Sequence, residues 1–199
     1  MERKDRGDYA KEMTLMAQKT FTDHRIPFCN LAANQLTLKK PGTGFYVTHL
    51  TLYRGTLCVF GDIDTVVFAQ YSGDTIKGAT GWMGNAELTY AMEKAARGIG
   101  VSRTESILSH FEPDVAVDDV LSYIDDLEPD DPDRVSLLKV LQDEINCFGG
   151  TSAQELHKAL YDADYDLELV GKVGMVPAPR VFYARQACKT AYELLKRDG

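Results

Sequence analysis

Between Asn34 and Tyr71 the chain is written in short runs of β-branched and aromatic residues, and this is the feature that most restricts what it can fold into. The runs are Gln35 to Leu38, Phe45 to Tyr53, Thr56 to Phe60 and Thr65 to Tyr71. Turn-forming residues separate them: Lys39-Lys40-Pro41-Gly42, Arg54-Gly55 and Gly61-Asp62-Ile63-Asp64. Short apolar runs divided by such residues specify strands joined by tight turns. The stretch therefore predicts an antiparallel meander of about four strands.

On either side the periodicity changes from two to near 3.6. Asp8 to Asp23 places Tyr9, Met13, Met16, Ala17 and Thr20 on one helical stripe. A Gly-rich stretch from Ser72 to Asn85 holds the single tryptophan, Trp82. After it, Leu88, Ala91, Met92, Ala95 and Ile99 form one stripe, Val117, Val120, Leu121, Ile124 and Leu127 a second, and Val135, Leu138, Leu141, Ile145 and Phe148 a third. Thr151 to Glu155 has the spacing of a capping box, in which a hydroxyl and a carboxylate three residues apart satisfy each other's backbone donors. Pro179 suits the first turn of a final helix whose buried stripe is Val181, Ala184, Cys188, Ala191 and Leu195. Strands followed by helices, rather than strands alternating with them, imply an α+β fold: an N-terminal helix, the meander, and a C-terminal helical region packed on it. The expected organisation is one compact domain over 1–199, with the meander at about 26–71 and the helical part at about 86–198. A chain of 199 residues, 44% hydrophobic, can bury such a core unaided.

The charged start, Met1-Glu2-Arg3-Lys4-Asp5-Arg6, opens no apolar run and predicts a cytoplasmic protein without a membrane segment. Cys29, Cys58, Cys147 and Cys188 lie far apart with no C-x-x-C pair, so reduced, partly buried thiols are expected. Of the 30 acidic residues, ten fall between Glu112 and Asp133, where there is no basic residue. With a net charge of −8, direct binding of nucleic acid by phosphate neutralisation is not expected.

No Walker loop, G-x-G-x-x-G, H-E-x-x-H, G-x-S-x-G or cysteine–histidine metal spacing occurs, so no catalytic residue, cofactor or metal is assigned. Two regions carry functional readings. The first is acidic. On the expected helix, Asp118 and Asp125 are two turns apart, as are Asp119 and Asp126, and Glu128, Asp130, Asp131 and Asp133 extend the charge. Such a row could meet a host protein with a basic surface by imitating nucleic-acid phosphates, or it could be a solvated helix face that favours the next helix through its dipole. The second is the set of meander loops. There Lys40, Thr43, Tyr46, His49, Asp62 and Trp82 could bind a small molecule or nucleotide, or His49 and a nearby carboxylate could transfer a proton. Its plainer reading is a lysine-solubilised loop, a turn aspartate bonded to backbone and a core tryptophan. A homo-oligomer is compatible with either.

Four stretches carry a resemblance. They are Lys40-Pro41-Gly42-Thr43 leading to Tyr46, Gly55 to Ile63, Tyr90 to Ala95, and Pro177 to Ala184. Together these resemble an uncharacterised family of small bacteriophage and prophage proteins with no assigned activity. The resemblance implies a viral origin and a host-cytoplasmic setting. It is compatible with inhibition of a nucleic-acid-dependent host enzyme or an antiviral defence complex, in the manner of an anti-CRISPR or other anti-defence protein.

Overall fold

A computed structural model describes residues 5–99, 108–129, 131–142, 153–163, 165, 167–170 and 172–197. The helices are α1 (Arg6–Phe21), α2 (Ile76–Gly84), α3 (Leu88–Ile99), α4 (Pro113–Asp126), α5 (Pro132–Val140), α6 (Ala153–Asp162), α7 (Leu167–Val170) and α8 (Pro179–Arg197). The strands are β1 (Arg25–Asn30), β2 (Gln35–Lys39), β3 (Thr48–Tyr53), β4 (Thr56–Gly61), β5 (Val66–Phe68), β6 (Ser109–Phe111) and β7 (Met175–Pro177). The fold is α+β. No helix among the described residues is long and apolar enough to cross a membrane. The chain divides into two compact units, one formed by 1–10 and 109–176, the other by 11–108 and 177–199.

The larger unit is built on a five-stranded antiparallel sheet in the order β1-β2-β3-β4-β5. Local chemistry dictates the meander. Tyr53 pairs with Thr56 across Arg54 and Gly55, which both take positive φ (46° and 73°), as a two-residue type I′ hairpin requires. Alternation then assigns the faces: Leu36, Leu38, Leu50, Leu52, Leu57, Val59, Val66 and Phe68 are all buried. Their outward neighbours Phe28, Thr37, His49 and Phe60 line up in one row across four strands.

The sheet has one strand more than the sequence suggests, because Arg25 to Asn30 pairs along β2 although five of its six residues, all but Ile26, are exposed. A strand with so little buried surface leaves no alternating pattern to read. The second expected strand starts at Thr48 rather than Phe45, and the last stops at Phe68. In each case the reason is a left-handed residue, Tyr46 (φ 58°) or Gln70 (φ 70°), which extended backbone does not accommodate.

Helices α2, α3 and α8 pack on the buried face with Phe21 of α1. The Gly-rich stretch is itself helix. Thr75 caps it, its side chain accepting from Gly78 N, and its glycines serve packing: a Cβ on Gly84 would lie 2.5 Å from the Lys189 Cα of α8. Along α8, Val181, Ala184, Cys188 and Ala191 are buried as their spacing predicts, joined by Phe182 and Ala187.

The smaller unit has its own core of Ala116, Val120, Ile124, Leu137, Leu141, Leu156, Leu160, Tyr165 and Val173. Helix α5 is turned from the expected stripe: Leu137 and Leu141 are buried, whereas Val135 (71%) and Leu138 (43%) are exposed. Ile145, Phe148, Thr151 and Ser152 lie outside the described residues.

Candidate functional site

The loop between β2 and β3 is shaped by its own sequence. Gly42 has φ 76°, Thr43 N donates to Lys40 O at 3.4 Å, and Tyr46 is left-handed, so the chain doubles back and turns two aromatic rings outward. Phe45 is 75% exposed and Tyr46 46%. The loop is anchored from beneath by Asp62 of the β4–β5 turn. Its carboxylate accepts from Val47 N at 2.9 Å, while Asp62 N donates to Val47 O at 3.0 Å. Lys40 Nζ reaches the Asp23 carboxylate at 3.2 Å.

The outcome is an open hollow of about 460 Å³ lined by Lys40, Thr43, Phe45, Tyr46 and Asp62. Most of its wall is apolar, with Phe45 and Tyr46 its two aromatic residues. An ammonium, a hydroxyl and a carboxylate stand on its margin. Binding sites commonly combine apolar walls with a few convergent polar groups.

His24 supports this loop from the other side. It is buried, its ring packs on Phe21 with centroids 4.7 Å apart, and its Nε2 donates to Tyr46 O at 3.0 Å. Burial lowers its pKa below the ordinary 6.5; the Tyr46 bond opposes that shift and nearby Lys40 reinforces it.

Of the residues expected at the meander loops, Lys40, Thr43, Tyr46 and Asp62 therefore line one hollow, and two lie elsewhere. His49 sits mid-strand on the outward face, its Nδ1 3.0 Å from Thr37 Oγ1 and its ring 5.2 Å from Phe60. Among the described residues it forms no pair with a carboxylate: Asp62 holds Val47 N, and Asp64 is bound by Arg180 at 2.6 Å. Trp82 belongs to α2, where it is half-buried, stacks against Tyr71 with centroids 5.3 Å apart and donates from Nε1 to Tyr90 Oη at 3.2 Å. It borders a separate hollow with Asn85, Glu87 and Tyr90.

The acidic residues divide by role. Asp119 is drawn into the smaller unit: its carboxylate accepts from Arg6 Nη2 and Nε at 2.7 and 3.2 Å and from Gly174 N at 2.7 Å. Arg6 Nη2 also donates to Lys172 O at 2.7 Å. Asp131 caps α5, accepting from Asp133 N at 2.9 Å, which half-buries Asp133. Asp118 is half-buried, Asp125, Asp126 and Glu128 are exposed, and Asp130 lies outside the described residues. The continuous row expected from the spacing is thus interrupted at Asp119. Among the described residues no group of three or more His, Cys, Asp or Glu side chains is arranged to hold a metal ion.

Sequence reasoning passed over Phe45 and His24. The run of β-forming residues from Phe45 to Tyr53 puts Phe45 in a strand, though Gly44 before it marks a loop. His24 had only its place between a helix and a strand to signal it. In comparisons with protein-family models, curated proteins and solved structures, nothing matches this chain.

Proposed function

We propose that this chain is a small-molecule binding protein whose ligand is planar and anionic, of the nucleotide type, held at the Lys40–Tyr46 loop. The observation that carries the reading is the hollow itself: two outward aromatic rings, fixed by a left-handed backbone and by Asp62, beside a lysine. A base stacked on such a ring gains about 1–3 kcal/mol whatever its identity. The Lys40 ammonium would attract the phosphate, in competition with Asp23.

A panel of nucleoside monophosphates titrated by calorimetry tests this. Tyr46→Ala is expected to weaken the best ligand by about tenfold or more, and Lys40→Ala to weaken it and flatten its salt dependence. If no member of the panel binds, or binding is indifferent to both substitutions in folded protein, the reading fails.

The alternative, an acidic surface that occupies a basic groove on a host nucleic-acid-dependent enzyme or defence complex, draws on fewer residues than the spacing suggests. Asp119 and Asp131 have internal roles, and Asp125, Asp126 and Glu128 supply its exposed charge. A viral origin would suit that reading.

A further inference from the structure

Helices α2, α3 and α8 cover one side of the five-stranded sheet, and the side turned away from them has a consistent chemistry. Across it run Phe28, Thr37, His49 and Phe60, one on each of four neighbouring strands. Phe28 and Phe60 are exposed, and the His49 ring extends the aromatic surface, its centroid 5.2 Å from that of Phe60. At the far end of β3, Tyr53 is exposed with the Arg54 guanidinium 5.3 Å from its ring centroid. At the near end, Asp62 in the lining of the aromatic hollow stands two residues beyond Phe60, about 7 Å along the chain. The hollow thus adjoins the same face.

Charge on this face runs against the rest of the chain. The five strands contain no acidic residue, although the chain has 30. Arg25 of β1 and Lys39 of β2 are direct partners across the ladder, and like charges directly opposite one another destabilise a sheet. Among the described residues neither of them, nor Arg54, is in an ion pair with a carboxylate. The net charge of −8 that disfavours nucleic acid therefore belongs to other parts of the molecule. Exposed rings suit flat apolar partners, and cations set opposite each other suit an anion between them. A nucleic-acid strand with unpaired bases supplies a flat face and a phosphate in every repeating unit.

We propose that the uncovered face of the sheet binds single-stranded nucleic acid. One base occupies the aromatic hollow, others stack on Phe60 and Phe28, and Arg25 and Lys39 accompany the phosphates. Phe28 and Phe60 stand three strand spacings apart, about 14 Å, which leaves room for a further base over Thr37 and His49. The inference rests on the loop reading above and extends it, since the hollow then takes one unit of a longer ligand.

The test is calorimetric titration of the intact protein with thymidine monophosphate, a thymidylate octamer and a hairpin duplex. The octamer is expected to bind about tenfold or more tighter than the monophosphate, and less tightly as salt rises. The duplex should bind more weakly than the octamer, because pairing hides its base faces. Phe28→Ala/Phe60→Ala should remove the gain from length and leave the monophosphate affinity unchanged, whereas Tyr46→Ala should weaken both ligands. Lys39→Ala, at an exposed position, should lower the octamer's salt dependence, and it carries the test where the double variant does not fold. An octamer no tighter than a monophosphate that does bind overturns this inference and leaves the loop reading standing; binding of neither overturns both. A duplex as tight as the octamer overturns the stacking. A dimer in sedimentation that the phenylalanine substitutions dissociate, without octamer binding, would give the face to a second copy instead.

Discussion

At the scale of single residues His24 concentrates the most physical chemistry, because it is buried, titratable and bonded to the loop that shapes the aromatic hollow. Its lowered pKa makes stability depend on pH in a definite direction. The unfolded chain takes up the imidazole proton near pH 6.5, and the folded chain only at lower pH. Between those two values the unfolded state binds more protons, so stability is fully present above about 6.5 and declines as pH falls through the window. Desolvation is the leading cause, Lys40 reinforces it, and the Tyr46 bond and Asp23 oppose it. Unfolding by urea between pH 7.5 and 5.5 should therefore show a slope of at most about 1.4 kcal/mol per pH unit from this group. His24→Gln should show a flatter profile. Identical slopes in the two proteins would mean that His24 titrates alike in folded and unfolded chains.

Among the elements, α4 shows how far a charge pattern can be read without coordinates. Its apolar spacing located the buried Val120 and Ile124 with the half-buried Val117 and Leu121. Its seven-residue acidic spacing puts Asp118 and Asp125, and Asp119 and Asp126, two turns apart, yet says nothing of Arg6 more than a hundred residues earlier, which captures Asp119. Long-range pairing of that kind leaves no trace in local periodicity. The same limit explains α5, whose stripe admits more than one register until Leu156 and Leu160 of α6 supply the opposing surface. A contrast follows from the division of roles. Asp119→Ala removes two charge-assisted bonds and the acceptor of Gly174 N, and is expected to cost about 1–3 kcal/mol of unfolding free energy. Asp126→Lys with Glu128→Lys should stay within about 0.5 kcal/mol of the parent. It should also weaken any cationic partner that the acidic reading requires. Equal losses from both changes, measured by chemical denaturation, would put Asp119 back among the solvated carboxylates.

For the whole molecule, composition and the order of periodicities were enough for the α+β class and the meander, because strand alternation and helical stripes are local signals. The grouping of stripes into two cores was not, since each unit is assembled from segments far apart in the chain and no linker marks a crossing. The cysteines offer a direct measure of the larger core. The sequence predicts reduced, partly buried thiols, but Cys29 is exposed on β1, where few side chains cover the strand, Cys58 is half-buried, and Cys188 of α8 is sealed in the core beneath the sheet. Cys147 lies outside the described residues. Burial alone drives the Cys188 thiol far above the ordinary range for cysteine, so its thiolate forms only when the core opens. Timed alkylation near pH 8, resolved peptide by peptide in a mass spectrometer, should modify Cys29 first and Cys58 more slowly. Cys188 should lag Cys29 by about a thousandfold or more, the protection that a core opening at about 5 kcal/mol or above confers. Comparable rates at Cys29 and Cys188 would show that α8 does not seal the sheet in solution.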